Sequence, residues 1–263
     1  QVVFATVPEA LRVATDVLAD RDDVPIAHSL TLFSSKVAWD FLDTTPAEKK
    51  TSDSESDQPK AFNGEIVLHD PTRERVLLID PLRQVKTSID SIQLERLRVS
   101  LAKWARTSDD KLLCWAGGPH FENGMHESDD AIELVGPRVQ YRIETTDAPS
   151  QEIAGQYRQF ADTAILLRAL VHPGGIPPFP RMALNKQLAS KAKLPTSVTL
   201  EIDSRGSLVP SGLSSMMQRH LCSVHRIHPA LRADDLQRIA DAEACMAIAE
   251  EVSLAEYTQA EKK

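Results

Sequence analysis

Two imidazoles and two carboxylates stand close together in the run Trp115-Ala-Gly-Gly-Pro-His120-Phe-Glu122-Asn-Gly-Met-His126-Glu127. Imidazole nitrogen and carboxylate oxygen are ligands that Zn²⁺ takes from proteins, and either group can act as a general base. His120, Glu122 and His126 therefore define one candidate, a metal-dependent hydrolase. Their spacing lacks the H-E-x-x-H register that sets two histidines one helical turn apart, so the same residues also read as an exposed polar loop. A second group is His220, Cys222, His225 and His228. On a strand the first, second and last of these share one face, with His225 on the other. At strand spacing His220 and His228 lie about 26 Å apart, too far for one ion. Histidines on a partly exposed strand is the preferred reading.

Other chemistries lack their signatures. There is no G-x-S-x-G for a nucleophilic serine. There is neither a G-x-x-x-x-G-K-[ST] nor a G-x-G-x-x-G to cradle phosphates. Asp70, Asp80 and Asp90 recur every ten residues, but each stands at a strand end, where aspartate favours turns. Cys114, Cys222 and Cys245 are odd in number and form no C-x-x-C, which suits three small buried hydrophobes. No catalytic residue and no cofactor is assigned, and a non-enzymatic protein is expected.

A binding reading rests on apolar residues instead. Phe33, Val37, Trp39, Phe41, Leu68, Leu78 and Trp115 would line the concave face of a curved sheet and hold an apolar ligand if the helices left that face partly open. If the helices cover it, the same residues are simply core.

The elements that must position these residues follow from periodicity. Residues 7–18 carry Leu11, Ala14, Val17 and Leu18 near helical spacing, with Pro8 suited to a first turn. Residues 33–41 alternate as one long strand whose aromatics face inward. Residues 44–60 turn to Lys, Ser, Asp, Glu, Pro and Gln, a solvated acidic insertion offering a contact surface near residues 53–57. Strands over 65–69, 75–80 and 84–89 form a meander with turns at Asp70-Pro71 and Pro81. A helix follows, capped by Ser91, with Leu94, Leu97, Leu101 and Trp104 on one stripe. Strands are expected over 111–115, 131–135 and 139–143, the last two joined by Gly136-Pro137.

The longest helix spans about 150–171, with a stripe of Ile153, Tyr157, Phe160, Ala164, Leu167 and Leu170. The segment His172-Pro-Gly-Gly-Ile-Pro-Pro-Phe-Pro-Arg181 ends it, because proline removes a backbone donor and fixes φ. A helix over 182–192, a strand over 197–203, a turn over 206–215, a strand within 218–227 and a helix over 233–252 complete the chain. Strands joined by short turns are antiparallel, and runs of strands broken by helices argue for α+β. The expected fold is one α+β domain over 1–263, a curved antiparallel sheet forming an incomplete β-barrel with helices on its concave face.

The 263 residues are 42% hydrophobic and 26% charged, with a net charge of −8. That is ordinary for a protein with a packed core. Acids interleave with bases, as in Arg73-Glu74-Arg75, so nucleic acid is not expected as a partner, for want of a clustered basic face. No apolar run is long enough to span a bilayer as a helix. The chain opens on Gln1, which fits loss of a secretory leader or truncation, and an extracytoplasmic location is expected.

The order of elements, with Gly64-Glu-Ile-Val-Leu-His-Asp70 and Val76-Leu-Leu-Ile-Asp-Pro81 in the meander, resembles the bacterial periplasmic lipoprotein-carrier superfamily over roughly the first half of the chain. That resemblance implies an incomplete barrel with helices as a lid over an apolar cavity. It also implies a lipid or lipoprotein acyl chain as the occupant; from the groove itself, a protein partner is the other occupant considered. The late helices and the proline-rich crossing depart from the carrier pattern. Separately, Gln156-Tyr-Arg-Gln-Phe-Ala-Asp162 with Pro177-Pro-Phe-Pro-Arg181 and Ala183-Leu-Asn185 is similar to uncharacterised exported proteins of planctomycete type, which implies no activity.

Overall fold

The computed structural model describes residues 10–19, 24–43, 64–171, 175–203 and 220–259. Pro8, the acidic insertion 44–60, His172 and the 206–215 turn lie outside them. Among the described residues twelve strands form one open sheet in the order β12-β6-β5-β4-β3-β2-β1-β11-β10-β9-β8-β7. In chain order the strands are β1 (Leu11–Ala19), β2 (Ala27–Ser34), β3 (Val37–Asp43), β4 (Glu65–Asp70), β5 (Arg75–Asp80), β6 (Val85–Asp90), β7 (Met125–Glu127), β8 (Ala131–Gly136), β9 (Val139–Asp147), β10 (Lys193–Ile202), β11 (His220–His228) and β12 (Glu250–Glu251). Six α-helices accompany them: α1 (Ser91–Arg106), α2 (Lys111–Ala116), α3 (Gln151–Val171), α4 (Phe179–Ser190), α5 (Ala233–Ile248) and α6 (Leu254–Gln259). Neighbouring strands are antiparallel except β12, which runs parallel to β6. The α+β class with an open sheet and helices packed against it is as expected.

Three expectations need correction. The segment expected as an N-terminal helix is, over its described residues, strand β1. Leu11, Val13, Thr15 and Val17 alternate as well as they match a helical stripe, and pairing with both β2 and β11 decides the matter. The single strand over 33–41 is a hairpin. Ser35 and Lys36 adopt φ of 51° and 71°, the left-handed pair that a two-residue hairpin turn needs, without the Asn-Gly that usually announces it. Residues 111–116 are helix α2, started by Asp110, whose Oδ1 accepts from the amides of Leu112 at 2.7 Å and Leu113 at 3.1 Å.

The helices cover both faces of the sheet. On one face, Leu11, Val13, Phe33 and Ala38 meet Ile153, Tyr157 and Phe160 of α3, and Val76 and Leu78 meet Leu167 further along the same helix. The register carries that face through Thr15, His225, Ser223, Val198 and Ile143 to Tyr141 and Leu134, where Leu184 and Leu188 of α4 pack. On the other face, Leu32, Trp39, Phe41, Leu68 and Leu77 meet Ile239, Ala242 and Met246 of α5. Strands β2 to β5 are therefore apolar on both sides, which is why simple inside–outside alternation misjudges them.

Gly136 ends β8 beneath an indole: a Cβ there would sit 2.4 Å from Cζ2 of Trp115. That ring in turn meets Phe121 edge-on at 5.2 Å. Gly136→Ala should lower stability by about 1–3 kcal/mol through overpacking, read as a fall in urea midpoint. An unchanged midpoint would show that the Trp115 ring can move aside.

Candidate functional site

The site begins with the turn from β6 into α1. Asp90 Oδ1 accepts from the Gln93 amide at 2.7 Å, and Gln93 Oε1 accepts from the Asp90 amide at 3.2 Å. This reciprocal cap, rather than the expected Ser91, starts α1 as soon as β6 ends and folds it back beside the strand. The opposite wall is the C-terminal segment. Glu250 and Glu251 pair with Val85 and Lys86, and Lys86 Nζ donates to the Met246 carbonyl at 2.8 Å. Tyr257 of α6 anchors that wall: its hydroxyl donates to Glu65 Oε1 at 2.8 Å, and the Arg83 guanidinium lies 5.0 Å over its ring. Burial and the neighbouring Glu65 charge push the Tyr257 phenol well up, so it remains a neutral donor.

Between these walls lies a cleft of about 400 Å³, lined on its apolar side by Ile89, Leu94, Leu97, Leu170, Val252 and Leu254. Thr87, Ser88, Gln93, Glu251 and Ser253 add polar groups. Helix α1 is lightly packed over it: Ala105 is its one buried residue, Leu94, Leu97 and Leu101 are half-buried, and Trp104 is 51% exposed. Ile92 and Val99 on the same helix are exposed too. A stripe this poorly covered suits a helix that gives way to a guest, since few buried contacts oppose its movement. At about 30 Å³ per non-hydrogen atom, the cleft holds roughly a dozen such atoms.

The sheet interior also contains polar groups. Asp40 is 5% exposed, and Thr31 Oγ1 donates to its Oδ1 at 2.7 Å. Burial pushes its pKa up to about 6, against the pull of that hydrogen bond. His69, beside Phe160 of α3, is lowered to about 4 by burial.

The structure does not gather the seven apolar residues named from sequence into one surface. Phe33 and Leu78 lie on the α3 face, Val37, Trp39, Phe41 and Leu68 lie on the α5 face, and Trp115 sits on α2 against Gly136. Five of them, Phe33, Trp39, Phe41, Leu68 and Leu78, are buried in packed clusters. The cleft residues were legible only as helix stripes and strand alternation; nothing in the sequence marks which of them is left half-covered. His120, Glu122 and His126 are each exposed, and Glu127 is engaged by Lys191 and Gln187. Among the described residues no group of three or more His, Cys, Asp or Glu side chains is arranged to hold a metal ion. These residues do not fit the metal site considered above. Of the histidines on β11, His225 faces α3 and α4, opposite His220, Cys222 and His228, as strand period requires.

No family model matches the chain, and no curated protein matches it. Among solved structures it is similar to a LolA superfamily protein from Nitrosomonas europaea, at 9% identity and a TM-score of 0.26, covering 89% of this chain and 90% of that one. No helix among the described residues is long and apolar enough to cross a membrane.

Proposed function

We propose that the protein is a non-enzymatic binding protein, acting outside the cytoplasm, that takes an apolar chain such as a lipid or lipoprotein acyl group into the cleft under α1. The observation that carries this reading is the half-covered stripe of Leu94 and Leu97 over a cleft of about 400 Å³ with one apolar wall. The polar residues at the cleft suit an amphiphile whose head remains near water. Because the twelve strands share one sheet, the chain is proposed to act as a single domain.

The filled interior around Phe33 and Trp39 favours a second reading, an interaction module whose cleft takes an apolar side chain of a protein partner. Titration with a dansyl-labelled dodecyl chain separates the two. Leu97→Glu should weaken its binding about tenfold or more by placing a charge in the apolar wall, with an unfolding midpoint close to wild type because Leu97 is only half-buried. Equal affinity in both proteins would overturn the cleft as the site. No binding by the wild type would leave the partner-binding reading.

A further inference from the structure

Arg181 occupies the first turn of α4, one helical turn before Asn185, on the side of the helix that meets the sheet and α3. Its Nη1 is shut off from solvent and has no hydrogen-bond partner; Asn185 Oδ1 is in the same condition. A buried donor and a buried acceptor, both unmet and one turn apart, are an anomaly in a protein interior, where such groups are nearly always paired. The orientation of the Asn185 amide is set by its neighbour, because Nδ2 donates to Asp162 Oδ1 at 2.8 Å.

Among the described residues none forms an ion pair with the guanidinium. Asp162, the acid that influences it, is engaged by Asn185 and by Arg158 at 3.5 Å and forms no ion pair with Arg181. The phenols of Tyr141 and Tyr157 are both buried, with raised pKa values caused chiefly by that burial, and both feel the Arg181 charge. His225 completes the surroundings as a neutral ring. Its Nδ1 lies 2.9 Å from Thr15 Oγ1 and its Nε2 lies 3.1 Å from Ser223 Oγ. Burial, and then the Arg181 charge, hold its pKa at about 3. The site therefore contains a positive charge with an unmet Nη1 donor, an unmet carbonyl oxygen and two buried phenols that feel that charge. As a whole residue Arg181 is only partly shielded, so the site lies near the surface. None of its residues lines the cleft under α1.

We propose that Arg181 and Asn185, with Tyr141 and Tyr157, form a receptor for a phosphate monoester group or free phosphate. An arginine calls for an oxyanion, since an unpaired buried charge is costly and guanidinium–phosphate geometry is favourable. Asn185 Oδ1 narrows the choice, because it needs a donor. A phosphate monoanion carries both acceptor oxygens and an O–H, whereas a carboxylate has no proton to give. The phenol hydroxyls can donate to the remaining oxygens.

The test compares full-length wild type, Arg181→Met and Arg181→Lys by thermal unfolding and calorimetry at pH 6.5. The probes are inorganic phosphate, monododecyl phosphate and dodecanoate, with chloride as the ionic-strength control. The wild-type midpoint should rise with phosphate or its dodecyl ester. Arg181→Met should bind either about tenfold or more weakly, Arg181→Lys should keep part of the affinity, and dodecanoate should bind more weakly than the dodecyl phosphate. A response to inorganic phosphate identifies a small-molecule oxyanion site; a response confined to the dodecyl ester identifies a lipid head group. Ligand-free Arg181→Met should be at least as stable as wild type, because it relieves an unpaired buried charge. A less stable Arg181→Met whose response to phosphate equals that of wild type would assign Arg181 a structural role. No response of wild type to any phosphate probe, or equal response to dodecanoate, would overturn the proposal. Because Leu97→Glu leaves these residues untouched, loss of dodecyl-chain binding in that variant is scored separately.

Discussion

Replacing Asp40 by asparagine should raise stability at neutral pH by about 1–3 kcal/mol and steepen the rise of stability with pH between 4 and 6. The carboxyl is buried, and its folded-state pKa of about 6 lies above the ordinary 3.8, with burial the leading cause and the Thr31 hydrogen bond acting against it. An acid with a raised pKa keeps its proton in the folded state after the unfolded chain has lost it. Its stabilising contribution is therefore full below about pH 4 and is lost as pH rises through 6; a shift of two units corresponds to about 3 kcal/mol. Asparagine keeps an Oδ1 for Thr31 and carries no charge, while its new N–H₂ limits the gain if left unpaired.

His69 and His225 act in the opposite sense. Burial lowers them to about 4 and about 3 from 6.5. The folded state holds them neutral, so their contribution is complete above pH 6.5 and is lost as pH falls toward 4 and 3. In wild type two rising contributions outweigh one falling contribution between pH 4 and 6. Removing Asp40 leaves the histidines unopposed. Urea midpoints of both proteins at four pH values between 4.5 and 7.5 measure this. Parallel curves with equal midpoints at pH 7.5 would mean that Asp40 ionises in the ordinary carboxylate range.

Phe33→Ala should cost about 3–5 kcal/mol and leave dodecyl-chain binding unchanged. Phe33 is 2% exposed, lies 5.6 Å edge-to-face from Phe160 and 6.1 Å from Tyr157, and helps join α3 to β1 and β3. Removing the ring opens a hole among residues held by backbone pairing on two sides, so little collapse can fill it. Denaturant unfolding gives the loss, and titration of the variant under folding conditions gives the affinity. A large fall in dodecyl-chain affinity with a small loss of stability would instead place Phe33 on the ligand surface.

These expectations mark what a sequence of this kind discloses. The β4–β5–β6 meander was legible because Asp70-Pro71 and Asp80-Pro81 punctuate it. Helix α3 was legible because its apolar stripe runs unbroken to a proline. Strand β1 was not, because Leu11, Ala14, Val17 and Leu18 also fit a helical stripe, and only pairing with β2 and β11 decides between the two periods. Asp40 was misjudged for a related reason: a period of two says which residues share a face, and only the packing of α3 says that the second face is also covered. For the candidate site, Leu94, Leu97 and Leu170 were found as members of stripes, but partial coverage depends on how far α1 stands from β6. Arg181 closed a segment notable for its prolines, and its unmet donor becomes visible only with α3 and β11 in place.

The sheet order has a consequence for how the chain is made. Near its middle is the β1–β11 pair, which joins residues 12–19 to residues 221–228. On the ribosome, β1 and the meander emerge early, but the strand that completes β1 on its open side emerges some two hundred residues later, at a few to tens of residues per second. For that interval of roughly ten seconds or more, β1 presents an unpaired edge with Leu11 and Val13 beside it. Long-range pairing of this kind folds slowly even in a free chain. The nascent protein therefore has a window in which a strand-binding chaperone can engage it, and that window closes when β11 docks.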